Sequence, residues 1–200
     1  MKMKAKSRPR IPEIITAFAV IMIMAVIGYA LGSYGAEWVR ESRFQTERKE
    51  KTEAVLARME EFVRIGNRLP DHEFHDINGN SVRLREIIKS QTVIAYLRNP
   101  CGNCRNELFH LNRATAEAGD QSFFVLISDS ESDMLMRLKR EFDLTGVILR
   151  DTGSIYRKKL GIFTFPFNII VDDSLIIKDL IAGYIRSDEF RAIMENKGAN

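Results

Sequence analysis

The chain has 200 residues, 45% of them apolar, a formal net charge of +3 and only two cysteines. So modest a charge excludes a nucleic-acid binder that works through a strongly basic surface. Two cysteines are too few for a disulfide-stapled scaffold but enough for one reversible disulfide. The apolar fraction supports a real core, although part of it is gathered in one N-terminal block.

That block is preceded by a basic segment, residues 1–13, with Lys2, Lys4, Lys6, Arg8 and Arg10. From Ile14 to Ala36 no residue is charged. In a helix this stretch spans roughly 35 Å, enough for the hydrocarbon core of a bilayer. Cations before the run and a mixed Glu/Arg segment after it predict a single-pass anchor in the cytoplasmic (inner) membrane, with the N-terminus in the cytoplasm and the remainder outside, periplasmic or extracellular. The competing reading is a cleaved signal peptide with Gly28-Tyr29-Ala30 as its processing site, but the run exceeds the ~7–15 residues of a signal core. Gly28, Gly32 and Ala36 follow small-xxx-small spacing, which suits close helix packing and is also ordinary in membrane helices.

Residues 37–65 read as a charged helical stalk. Between Glu37 and Arg64, seven Glu balance seven Lys or Arg. Trp38 suits the membrane interface. Val55, Leu56, Met59, Phe62 and Val63 make a short apolar stripe that suits docking on the chain's own domain or on a second copy.

Gly66-Asn67-Arg68-Leu69-Pro70 breaks the helical pattern and opens a domain over 66–200. Asn78-Gly79 between two alternating runs predicts a β-hairpin. A short helix is expected over 85–90, a buried strand over 92–97, a helix from the cysteines onward, a second buried strand over 121–128 and a helix capped by Ser130. A short strand (147–149), a short helix (154–160), two strands (167–171 and 175–180) joined at Asp172-Asp173-Ser174, and a final helix (188–195) complete the order. Strands separated by helices, with hairpins at the ends, predict an α/β domain: a mixed sheet with helices on both faces.

The chemistry lies in Asn99-Pro100-Cys101-Gly102-Asn103-Cys104-Arg105-Asn106-Glu107. A C-x-x-C between a strand and a helix puts a dithiol at a helix N-terminus, where unpaired N–H groups and the helix dipole favour a thiolate. Cys101 comes first and is expected to be the nucleophile. Cys104, one turn on and more buried, lies within reach of a Cys101–Cys104 disulfide and would resolve the mixed disulfide. Glu107 shares the face of Cys104; it is either a proton partner or a solvated first-turn acid. A closed zinc site needs four ligands, and His72 and His75 lie far upstream, so no metal is expected. Two inert buried cysteines are the remaining alternative. Pro166 enters a strand after Thr164-Phe165; a cis bond there would leave the Phe165 backbone free for an extended substrate, and a plain trans proline is the alternative.

Taken together, the Asn78-Gly79 hairpin, Cys101-Gly102-Asn103-Cys104, Glu107 and Pro166, in this order, resemble the thioredoxin-like fold and, more narrowly, membrane-anchored thiol–disulfide oxidoreductases of the TlpA/ResA type. The resemblance covers residues 66–194 and the anchor extends it. It implies that Pro166 is cis and faces the dithiol, that Glu107 is the active-site carboxylate, and that Pro100 and Phe165 touch the substrate. Pro100 stands where the family usually has tryptophan, and Phe165 is larger than the usual residue. The implied activity is reduction of disulfides in extracytoplasmic client proteins with no cofactor beyond the dithiol, re-reduced by a membrane thiol carrier of the CcdA/DsbD kind. The other readings are a dithiol oxidase or dedicated maturation factor, and a non-catalytic binding or assembly module on the same scaffold. A peroxiredoxin lacks support because the Pro-x-x-x-Thr-x-x-Cys pattern is absent, and a Sco-type copper chaperone because no histidine follows His110.

Overall fold

The structure is a computed structural model that describes residues 11–59, 61, 63–89, 91–99, 101–118 and 124–195. Helix α1 runs from Ile11 to Leu56. It is the one helix among the described residues long and apolar enough to cross a membrane, and its apolar side chains from Val20 to Val39 are exposed. Inside α1 the chain divides into two units, residues 1–47 and 48–200.

The second unit is built on one seven-stranded mixed sheet in the order β2-β1-β5-β4-β3-β6-β7. Its strands are β1 (Glu73–Asp76), β2 (Ser81–Arg83), β3 (Gln91–Leu97), β4 (Phe124–Ser128), β5 (Val147–Arg150), β6 (Phe167–Asp172) and β7 (Ile177–Ala182). Strands β3, β4 and β5 are parallel, because α3 (Gly102–Ala118) and α4 (Ser132–Glu141) carry the chain back between them. The other pairings are antiparallel. The remaining helices are α2 (Leu84–Ile87), α5 (Ile155–Leu160) and α6 (Ser187–Glu195).

Period-two alternation sends neighbouring side chains of β3 to opposite faces. Val93, Ala95 and Leu97 join a core with Leu108 and Leu111 of α3, Leu135 and Leu138 of α4 and Phe190 of α6. Ile94 and Tyr96 join a second core with Tyr156 and Leu160 of α5 and with Val55, Met59 and Val63. Both faces are covered, so β3 and β4 are near-continuous apolar runs. The apolar stripe of residues 55–63 thus packs inside its own domain; Phe62 lies outside the described residues.

Local chemistry explains where the elements begin and end. Asp76 Oδ1 accepts the N–H groups of Asn78 and Asn80, both at 2.8 Å, and Gly79 takes φ +89°, closing the β1–β2 hairpin. Strand β7 starts at Ile177, two residues later than the sequence pattern suggests, because Leu175 adopts φ +63° in the turn while Asp172 Oδ1 accepts the N–H groups of Ser174 and Ile176. Helix α2 ends at Ile87, short of Ser90, because Ile88 is extended. Glu131, not Ser130, occupies the N-cap of α4 and makes no side-chain capping bond. Of the strand expected over 121–128, residues 121–123 lie outside the described residues.

Gly146 marks a close approach between the β4 and β5 ends. A Cβ there would sit 2.5 Å from ring carbons of the buried Phe124. Gly146→Ala is therefore expected to destabilise the domain by about 1–3 kcal/mol, as overpacking does. Chemical denaturation measures it, and an unchanged midpoint would show that the Phe124 ring gives way freely.

Candidate active site

Strand β3 delivers the chain through Arg98-Asn99-Pro100 to Cys101, and α3 starts at the next residue. Pro100 lies outside the described residues. The Cys101 carbonyl accepts the Arg105 N–H at 3.2 Å, the first bond of the helix. Its Sγ accepts the Cys104 N–H at 3.2 Å. The sulfur thus occupies the place of an N-cap oxygen and satisfies a donor that would otherwise be orphaned. An amide hydrogen bond and the positive end of α3 both favour negative charge on that sulfur in the reduced state.

Cys101 and Cys104 form a disulfide with Cα atoms 5.2 Å apart. Cys101 is partly exposed and Cys104 is 4% exposed, so one sulfur reaches the surface and the other faces the core. Behind Cys104 a narrow apolar cleft is lined by Leu97, Leu108, Leu126, Leu135 and Leu138.

The loop before β6 lies against the exposed sulfur. The Phe165–Pro166 bond is cis, and the Phe165 carbonyl oxygen lies 3.8 Å from Cys101 Sγ. Pro166 is buried, and its carbonyl accepts the Gly183 N–H at 2.9 Å. The Phe165 ring packs 6.0 Å from Tyr96 and carries the Arg98 guanidinium 5.8 Å from its centroid. Tyr96 in turn donates its hydroxyl to the buried Asp151, which also accepts the N–H groups of Tyr156 and Arg157 at 2.9 and 2.8 Å. The loop is thereby tied to the sheet through β3.

Glu107, one turn beyond Cys104, is fully buried. It is not a solvated first-turn acid. Its Oε2 accepts the Ile185 N–H at 2.7 Å, while its Oε1 is buried with no hydrogen-bond partner among the described residues. Burial pushes its carboxyl up to about 8, against the pull of the Ile185 amide and the Asn168 side chain. Asn168 of β6 is also fully buried; its amide donates to the Gly183 carbonyl at 2.9 Å and its Oδ1 has no hydrogen-bond partner among the described residues. A proton on Glu107 gives one of these two acceptors something to donate. Asn168 was not singled out in the sequence, yet it is the one polar residue in Phe167-Asn168-Ile169-Ile170-Val171, and a lone amide in a core strand is the signal that could have found it.

His110, one turn after Glu107, stacks on Tyr184 with ring centroids 5.7 Å apart. Among the described residues no three His, Cys, Asp or Glu side chains converge where a metal could be held.

The family model Redoxin matches residues 64–195. No curated protein matches the chain by sequence. Among solved structures, a protein of Chlorobium tepidum assigned as the thiol:disulfide interchange protein DsbE is 15% identical, with a TM-score of 0.59 over 67% of this chain and 97% of that one. StoA from Bacillus subtilis is 16% identical, with a TM-score of 0.52 over 62% and 96%. The peroxidoxin BcpB from Mycobacterium tuberculosis is 16% identical, with a TM-score of 0.55 over 67% and 96%. At these identities the structures establish the thioredoxin-like fold; the Redoxin match and the dithiol add the chemistry.

Proposed function

The chain belongs to the Redoxin family and is a thiol–disulfide oxidoreductase of thioredoxin-like fold, and from that premise we propose that it is a membrane-tethered reductase of disulfides in extracytoplasmic client proteins. One observation carries this reading: an exposed sulfur at a helix N-terminus, 3.8 Å from a carbonyl beside a cis-proline, with its partner sulfur buried behind it. An extended client segment would pair with the Phe165 backbone, and Pro100 and the Phe165 ring would border it.

In the reduced enzyme the Cys101 thiolate attacks one sulfur of the client disulfide. The client S–S bond breaks, a Cys101–client disulfide forms, and the client's other sulfur leaves as a thiolate that takes a proton from water. Cys104 then gives its proton to Glu107 in its carboxylate form, the minor form near neutral pH for a carboxyl at about 8, and attacks Cys101 Sγ. The Cys101–Cys104 bond closes, the Cys101–client bond breaks, and the client's second sulfur leaves as a thiolate that takes up a proton, which Glu107 gives back. The client gains two electrons and the enzyme loses two. A carboxyl poised near 8 is close to a thiol in proton affinity, which suits it to this exchange near neutral pH. The next cycle needs two electrons from a thiol carrier in the membrane, of the CcdA/DsbD kind. The reading calls for no redox group besides the dithiol.

The exposed apolar part of α1 is the tether, and the five cations before it keep the N-terminus in the cytoplasm. The test is the reduction potential of the Cys101–Cys104 pair, measured by equilibration with glutathione buffers. A value near about −270 mV is expected of a reductase; a value near about −120 mV would mark a dithiol oxidase instead.

A further inference from the structure

We infer that Arg48, in the last turns of α1, is a positioning residue for the dithiol site: through Glu189 it governs how readily Glu107 takes up and releases a proton. The inference rests on the reading of Glu107 as the proton partner of Cys104.

The geometry is a relay of two carboxylates on two consecutive amides. The Ile185 N–H donates to Glu107 Oε2 at 2.7 Å, and the Arg186 N–H donates to Glu189 Oε2 at 3.0 Å. The same Glu189 oxygen accepts Arg48 Nη1 at 2.7 Å. The Arg48 and Glu189 side chains are only 16% and 14% exposed, so water and salt screen them poorly. Arg48 is held in register by the next turn of its helix. Thr52 Oγ1 donates to the Arg48 carbonyl at 2.8 Å and accepts the Ala182 N–H of the edge strand β7 at 3.0 Å.

Glu189 of α6 opposes the ionisation of Glu107 and Arg48 of α1 favours it. On α3 the titratable neighbours are Cys104, locked in the disulfide, and His110. From β6 comes the neutral Asn168, and on β7 Asp179 feels the same Arg48. Asp188 on α6 is turned to solvent and meets Arg186. The ion pair is therefore the adjustable part of the field. Intact, its two charges act on Glu107 with opposite sign, Glu189 more strongly than Arg48. With Arg48 removed, Glu189 keeps its longer approach to Arg186, 3.8 Å, and the field at Glu107 turns more negative; with Glu189 removed, Arg48, which also faces Asp179, turns it more positive, so the two removals act with opposite sign.

The experiment is an infrared pH titration of the oxidised full-length chain in detergent micelles. The carboxylic-acid band of Glu107 is identified by its loss in Glu107→Gln. Arg48→Met is expected to raise the titration midpoint by about one pH unit and Glu189→Gln to lower it by about as much. The double variant Arg48→Met/Glu189→Gln and the conservative Arg48→Lys are expected close to the parent. A merely structural role would shift both single variants the same way or neither, and any pattern other than opposite shifts overturns the inference. If Arg48→Met does not fold, Glu189→Gln and Arg48→Lys decide: no fall in the first, or a midpoint in the second well away from the parent, overturns it. No client and no turnover enter the measurement, so its failure is distinct from failure to reduce client disulfides.

Discussion

Cys104→Ser is expected to accumulate mixed disulfides with client proteins, and Cys101→Ser to accumulate none. The reason is access and charge. Cys101 is partly exposed, precedes the first residue of α3 and receives the Cys104 amide on its sulfur. Cys104 is 4% exposed, too little for a client disulfide to reach its sulfur. Without Cys104 the mixed disulfide has no internal nucleophile to resolve it, so it persists. Both variants lose turnover entirely, since two-electron exchange needs both sulfurs. Acid quenching, alkylation and non-reducing separation of cell extracts read the outcome. Adducts on Cys101→Ser in place of Cys104→Ser would reverse the assignment, and full function of both variants in cells would favour a binding module on the same scaffold.

The second large effect is that of Glu107→Gln. A general base of this kind is worth about 10²–10⁴ in rate, so release of the client from the Cys101 mixed disulfide should slow by that order. Quenched single-turnover kinetics measure it, and an unchanged release rate would reduce Glu107 to a structural role. The same substitution should change how stability depends on pH. Burial raises the folded-state carboxyl to about 8, while the unfolded chain titrates near 4.3. Between those values the folded protein holds a proton that the unfolded chain releases. Stability from this group is thus fully present below the unfolded value, falls as pH rises through the window and levels off above about 8. The total fall is on the order of a few kcal/mol. Glutamine, neutral throughout and still able to accept the Ile185 amide through its side-chain oxygen, should remove that slope. Denaturation of the oxidised protein at several pH values shows it.

The Gly146→Ala expectation and the ion-pair titration touch other parts of the fold, yet they share a feature with Glu107→Gln. Each depends on an approach between residues distant in the chain: Phe124 with Gly146, Arg48 with Glu189, Glu107 with Ile185. Sequence periodicity has no access to such distances.

The order of elements and the reactive pair were legible because they are written in local terms. Asn78-Gly79 calls for a tight hairpin whatever surrounds it. The run Val93–Leu97, apolar at every position, is buried on both faces and hence central. Cys101 and Cys104 at i,i+3 before an amphipathic stretch lie at a helix start, which fixes both their reach and their electrostatics. The apolar stretch Ile14–Ala36 is equally local, since length and composition alone make a helix able to cross a bilayer. What only the tertiary structure decided is the environment of these groups. A glutamate one turn into a helix is solvated or buried depending on what packs over it; α6 and β6 cover Glu107 and so turn an ordinary acid into one that holds its proton near neutral pH. Asn168 belongs to an apolar strand until the fold sets it beside that carboxyl. Arg48 is one of seven cations in a charge-balanced stretch until α1 carries it to Glu189. Motif and element follow from neighbours along the chain, whereas proton affinity follows from neighbours in space, and those were set by packing.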